Sequence, residues 1–160
     1  MERTACRALI LLVLLSTVAI AQDFKGYRTT TLDSVIDEWS RKTKDEGPGY
    51  SFSRPEKIKF VAAMNRLPAP CDNRTLGTVM KMMGFADMLN QVGVSQCIGV
   101  TTSGGWTVFA YIQDVLAPGL KTDVRIGQSM VIYADFLAYQ VATDRSRNMP
   151  IMLVNRFEPK

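Results

Sequence analysis

The chain has 160 residues, no histidine, three cysteines and a formal net charge of +4 from 19 basic and 15 acidic side chains. Without histidine, Ser-His-Asp and Cys-His catalysis, histidine-ligated zinc and the commonest proton carrier near neutral pH are all excluded. The charge is mildly positive with no long single-sign block, which gives weak support to a polyanionic partner, and an apolar content of 47% belongs to a globular rather than a disordered chain.

Arg3 and Arg7 precede an uncharged apolar run from Ala8 to Ile20, and Ala19-Ile20-Ala21 supplies small residues where a signal peptidase reads them. The run is short against the roughly 20 residues that span a bilayer. Residues 1–21 are therefore expected to be a secretory signal peptide, with cleavage after Ala21 and no integral membrane segment afterwards. Residues 22–160 are expected to form a single α+β domain, its helical part over 31–93 and its sheet part over 95–158. Cleavage removes Cys6 and leaves Cys71 and Cys97, for which the simplest pairing in an oxidising compartment is one disulfide. By chain entropy a loop of that size is stabilised by about 3.5 kcal/mol.

Residues 22–30 carry no periodicity. Thr31 then opens a helix, since Leu32, Val35, Ile36 and Trp39 fall at i, i+3, i+4 and i+7 and Asp33 and Asp37 suit the positive end of its dipole. The run Lys42 to Gly49, with its charges, proline and glycine, ends it. Ser53-Arg54-Pro55-Glu56 has the form of a capping box with proline in the first turn. It predicts a second helix that buries Ile58, Val61, Ala62 and Met64 or Asn65 and stops at Pro68 and Pro70. Asp72 or Asn73 caps a third helix with Leu76, Val79, Met80 and Met83 on one stripe. That stripe shifts at Gly84 to Phe85, Met88, Leu89 and Val92, which predicts a kink, a break into two helices or a segment buried on more than one side, and Gly93 is a fitting end. Met80, Met82, Met83 and Met88 fit core filling better than a pliable binding surface. Asn73-Arg74-Thr75 matches the N-glycosylation acceptor pattern, which matters only in a eukaryote; otherwise Asn73 is a helix-start residue.

The densest β pattern lies between Cys97 and Phe157. Trp106, Val108, Ala110 and Ile112 alternate with Thr107, Phe109 and Tyr111, and Met130, Ile132, Ala134 and Phe136 alternate with Val131, Tyr133, Asp135 and Leu137. Thr102-Ser103-Gly104-Gly105 fits a tight hairpin turn, because adjacent glycines accept positive φ. Asp114 to Ile126 reads as a connection with a turn at Ala117-Pro118-Gly119. For Ser129 to Ala142 a strand is favoured over a helix, with a bend or bulge near Ala134. Asp144 to Asn148 is a polar turn, and residues 151–157 alternate as a closing strand.

No catalytic residue, metal ligand set or cofactor motif emerges. The phosphate-binding patterns G-x-x-x-x-G-K-[ST] and G-x-G-x-x-G are missing. Paired-carboxylate chemistry would have to come from Asp33, Asp37 and Glu38 or from Asp45 and Glu46, all of which read better as solvated positions. Asp135 interrupts an apolar set, so it either points to solvent at a bend or is buried with partners as part of a site. Trp106, Tyr111, Tyr133 and Tyr139 could form an aromatic platform, although core filling suits most of them. Arg145 and Arg147 sit two apart in the last turn, placed either to grip a carboxylate or phosphate together or to keep a sheet end soluble, and Arg156 follows in the closing strand.

No family motif matches residue by residue. The architecture resembles exported bacterial proteins with OB-like or SH3-like barrels: an α+β fold with a helical N-terminal half packed on a small antiparallel, barrel-like sheet. The expected role is a non-catalytic exported domain, periplasmic or secreted, that binds another macromolecule, either a protein or an envelope polymer. Its candidate binding residues are Arg145, Arg147, Arg156 and Asp135. A carboxylate-dependent hydrolase of cell-envelope glycans and a weak binder of nucleic acid or anionic surfaces are the alternatives.

Overall fold

The computed structural model of the protein describes residues 24–52 and 54–160, so the expected signal peptide and its cleavage position lie outside the described residues. In chain order the elements are β1 (Arg28–Thr29), α1 (Leu32–Lys42), β2 (Gly49–Ser51), β3 (Glu56–Pro70), α2 (Arg74–Met82), α3 (Ala86–Val92), β4 (Gln96–Thr101), β5 (Thr107–Ile112), α4 (Ala117–Asp123), β6 (Ser129–Val141) and β7 (Met149–Pro159).

β3 is long enough to serve two neighbours. Its first half pairs with β6, Glu56 opposite Phe136 through Ala63 opposite Ser129, and its second half pairs with β4. β4 continues to β5, β5 to β7 and β7 to β6, so five strands close into a barrel in the order β3-β4-β5-β7-β6-β3. β1 and β2 are short additions outside that ring. Closure removes sheet edges and lets both apolar sets of each strand be covered, one inside and one under helices. The expected all-antiparallel sheet is corrected at two places: β5–β7 and β1–β3 pair in parallel.

The interior follows the period of two. Ile58, Phe60, Ala62 and Met64 from β3 meet Ile98 and Val100, Val108, Ala110 and Ile112, and Met130, Ile132, Ala134 and Phe136 in one core. α1 adds Leu32, Val35, Ile36 and Trp39 to it, with the Trp39 ring 5.2 Å from that of Phe136 and the Ser40 hydroxyl 2.7 Å from that of Tyr139. Its start is capped as expected, the Thr31 hydroxyl accepting from the Ser34 amide at 3.1 Å. On the outer faces of β6 and β7, Leu137, Ala138, Ile151 and Leu153 form a second core with Leu76, Val79 and Met80 of α2. The phase shift at Gly84 is a true break between α2 and α3, with φ of 80° there and 61° at the closing Gly93. The methionines divide: Met80 is buried, whereas Met82 and Met88 are 54% and 43% exposed.

The helix predicted from Ser53 is a strand. Lys57, Lys59 and Val61 point out while Ile58, Phe60 and Ala62 point in, and this alternation, rewarded by partners on both sides, outweighs a local capping signature. The helical half is thus interrupted by β2 and β3. The turn expected at Ala117-Pro118-Gly119 is instead the start of α4, proline being harmless in a first turn, and Ala117 and Leu120 join the main core. Ser129–Val141 is a strand, as favoured. Its register with β7 slips twice, leaving Leu137 of β6 and Asn155 of β7 without opposite residues, so the bulge expected near Ala134 falls on the partner strand.

The hairpin turn is held by a residue the periodicity had put on a solvated helix face. The Asp33 carboxylate accepts hydrogen bonds from the Thr102 hydroxyl, the Ser103 hydroxyl at 3.0 Å and the Gly104 amide at 3.2 Å. Only Gly105 has positive φ; at Gly104 a Cβ would stand 2.4 Å from Asp33 Oδ1, so glycine is needed there for close approach. Partial burial raises the Asp33 carboxyl, but the hydrogen bonds outweigh it and hold the group below its ordinary range. A depressed folded pKa stabilises above the unfolded value, about 3.9, and the gain is lost as pH falls through the folded one. Asp33→Asn is therefore expected to lower thermal stability at pH 7 and to approach the parent only as pH falls from about 3.9 through the lower, folded value, as thermal melts across pH would read.

Candidate functional site

A groove of about 260 Å³ runs over the outer faces of β4 and β5. Its lining comes from distant parts of the chain: Arg66 of β3, Phe109 and Tyr111 of β5, Gln140 of β6, Met149 to Ile151 of β7, and Cys71, Asp72 and Thr75 between β3 and β4. The Cys71–Cys97 disulfide, with Cα atoms 5.7 Å apart, forms part of the wall and ties the end of β3 to β4.

Three local features give the groove its chemistry. β3 carries an extra residue at Asn65, so Arg66 lies opposite Gly99, and Gly99 lies opposite Phe109, in one cross-strand row. A Cβ in the middle of that row would stand 3.0 Å from Arg66 Cβ, a tight approach that glycine relieves. No side chain therefore separates Arg66 from Phe109, whose ring is 44% exposed. Such exposure of a strand aromatic beside a concavity marks a contact surface more readily than a scattered apolar residue does.

Electrostatically the groove is cationic at one end. Arg66 makes no ion pair or side-chain hydrogen bond among the described residues, whereas Asp72, the carboxylate of the lining, is bound by Arg74 at 2.5 Å. That hydrogen bond holds Asp72 below the ordinary carboxylate range. Tyr111 is raised, first by burial, against hydrogen bonds at Thr75 and Leu76, so its hydroxyl is neutral at pH 7. No protein-family model, curated protein or solved structure matches this chain.

The residues singled out from sequence lie elsewhere and apart. The turn at Arg145–Arg147 is one turn of 3₁₀ helix rather than an extended tip. Arg145 turns its guanidinium to the carbonyls of Thr43, Lys44 and Glu46 and so fastens the segment after α1. Arg147 is exposed beside Asp144 and lines an open depression that adjoins the groove at Gln140 and includes Tyr50. Arg156 pairs with Glu158 at 2.8 Å and stacks its guanidinium against Phe24 and Tyr133. Asp135 is partly buried on the outer face of β6, bonded through one oxygen to Asn155. The aromatic platform divides as well: Tyr133 and Tyr139 are buried, Trp106 is exposed just ahead of β5, and Tyr111 alone of the four lines the groove. Arg66, Phe109 and Gln140 were not found from sequence. Outward alternation on β5 beside a glycine on β4 was the available signal for Phe109; the assumed helix over Arg66 concealed the rest.

The other candidate carboxylates make no opposed pair. Asp33 holds the hairpin, Glu38 pairs with Lys42 at 2.6 Å, and Asp37, Asp45 and Glu46 are exposed. Among the described residues no group of three or more Cys, Asp and Glu is placed to hold a metal ion, and no helix is long and apolar enough to cross a membrane.

Proposed function

We propose that the chain is an exported, non-catalytic binding domain that takes another macromolecule along the groove on β4 and β5. The observation that carries this is the exposed Phe109 in one cross-strand row with Arg66, whose guanidinium is unpaired among the described residues, with only a glycine between them. The arrangement supports an OB-like reading. Numbered within the barrel, the strands close as 1-2-3-5-4-1 and α4 lies between the third and fourth. OB barrels take oligosaccharides and oligonucleotides on their second and third strands, helped by the segments that join strands 1 to 2 and 4 to 5. The groove here takes Cys97, Phe109 and Tyr111 from the second and third strands, Cys71 and Asp72 from the segment joining the first to the second, and the strand ends at Gln140 and Met149 that flank the segment joining the fourth to the fifth. The disulfide supports residence in an oxidising compartment and hence the exported reading.

The hydrolase alternative has less to stand on, because the groove lining holds one carboxylate and that one is bound to Arg74. The anionic-surface alternative loses two of its three arginines to internal contacts.

The test uses the protein purified from its native host's extracytoplasmic fraction, whose intact mass should correspond to a chain beginning at Gln22. Binding is measured to soluble envelope glycan fragments, single-stranded oligonucleotides and envelope protein extract. Arg66→Ala and Phe109→Ala are each expected to weaken binding of the bound class by about tenfold or more, the equivalent of one charged hydrogen bond or one stacked ring, at unchanged melting temperature. Binding by both variants equal to the parent's, or binding by the parent to none of the three, would sink the groove reading.

A further inference from the structure

The groove borders a seam where the barrel is joined at one end only. β5 and β7 pair in parallel where Tyr111 meets Leu153 and Ile112 meets Val154, so residues 107–110 of β5 and 149–152 of β7 have no ladder between them. The ladder with β4 decides which main-chain groups this leaves free. The Thr102 amide donates to the Trp106 carbonyl at 2.9 Å, and alternation along an antiparallel ladder then makes Val100–Val108 and Ile98–Ala110 the hydrogen-bonded pairs that follow. Thr107 and Phe109 fall between them and turn their N–H and C=O groups away from β4, toward the seam. No hydrogen bond among the described residues takes up those groups.

A strand edge of this kind is ordinarily blunted by charge, proline or brevity. β5 uses none of these: its six residues, Thr-Val-Phe-Ala-Tyr-Ile, include no charged side chain and no proline. The edge is also open to solvent on its outer side, where Thr107 and Phe109 are both exposed. Across the seam β7 begins with Met149 and Pro150, and a proline in a strand suits a place where its nitrogen has no ladder to join. Phe109 and Tyr111 from one side of the seam and Met149 to Ile151 from the other line the same groove, which Arg66 also borders.

We infer that the groove takes an extended segment of a protein partner, added to β5 as a further strand along this seam and carrying an acidic side chain for Arg66. The inference rests on the groove reading above and names its partner class. N–H and C=O groups repeating along a strand edge are matched by an extended polypeptide, which presents the complementary groups at the same repeat; sugar hydroxyls and phosphates do not. Apolar side chains on the groove side of the segment lie against Phe109 and Met149. The sign of the charge follows from the lining: Asp72 is held by Arg74, whereas the Arg66 guanidinium has no ion pair among the described residues, so an acidic segment is matched and a basic one is repelled.

The test titrates the full chain with the peptide Ac-Thr-Val-Glu-Val-Thr-NH₂, following resonance shifts and amide hydrogen exchange. In the free protein the Thr107 and Phe109 amides are expected to exchange freely while those of Val108 and Ala110 are protected, and the peptide is expected to slow exchange at Phe109. Lysine in place of the glutamate should weaken binding about tenfold, and Arg66→Ala should remove that preference. Two further peptides carry N-methyl groups on one alternate set of residues and on the other, and at least one of them should lose about tenfold in affinity, because the methyl groups replace the donors that face β5. Full binding by both overturns the proposal. So does a Phe109 amide already protected in the free chain, and so does the lack of any shift up to about 10 mM, where even a weak contact would register. Protection at Phe109 that rises with protein concentration in the absence of peptide also overturns it, because a second copy would then fill the seam. Glycan fragments or oligonucleotides that bind through Arg66 and Phe109 without slowing exchange at the Phe109 amide overturn this inference and leave the groove reading standing.

Discussion

Phe60→Ala is expected to destabilise the protein by about 3–5 kcal/mol, while Val61→Ala, one residue on, costs less than about 0.5 kcal/mol. Phe60 is 1% exposed inside the barrel and Val61 is 44% exposed outside it. The contrast reads the secondary structure directly. On a helix that buried Ile58, Val61 and Ala62 the larger loss would belong to Val61, whereas on a strand adjacent residues face opposite sides and the losses must alternate. Denaturant unfolding of the two variants decides it, and comparable losses at both positions would contradict the register of β3 against β6.

The second large effect is expected from the disulfide. Replacing Cys71 and Cys97 together with serine releases a loop spanning 26 positions and should cost about 3.5 kcal/mol in the chain-entropy account. The bridge also fastens the wall of the groove where β3 ends and β4 begins. Ligand binding at the groove should therefore weaken in the double variant even under conditions where it remains folded. The comparison is urea unfolding of the parent with and without reductant beside the double variant. Reduced parent and double variant should coincide well below the oxidised parent, and a double variant as stable as the oxidised parent would show that the loop is already restrained by α2, α3 and the second core.

Several elements were legible because their signals are local. The stripe Leu32, Val35, Ile36, Trp39 with its Thr31 cap needs only its own turns to be a helix, and it is α1. The break at Gly84 follows from the change of stripe there. β6 could be recognised because alternation over Met130 to Phe136 is longer than chance and rich in residues that suit a pleated surface. The opposite lesson comes from Ser53 to Glu56, where a well-formed cap signature preceded a segment that is β3. A cap contributes about 1 kcal/mol, and the burial of Ile58, Phe60, Ala62 and Met64 against neighbours from β4 to β6 exceeds it severalfold.

By itself the sequence determined the alternation of the strands after Cys97, the simplest pairing of Cys71 with Cys97, and the chemistry that a chain without histidine cannot perform. It could not determine which strands pair. Alternation fixes the side to which a residue points but is blind to the identity and direction of the neighbouring strand, and β5 meets β7 in parallel across some 40 residues of chain. Only closure of the barrel sets Arg66 beside Phe109 across Gly99, leaves Asp135 with one oxygen bonded and one not, and turns Arg145 back on the segment after α1. Those placements depend on contacts between residues far apart in the chain, whose energies exist only once the whole ring of strands is joined.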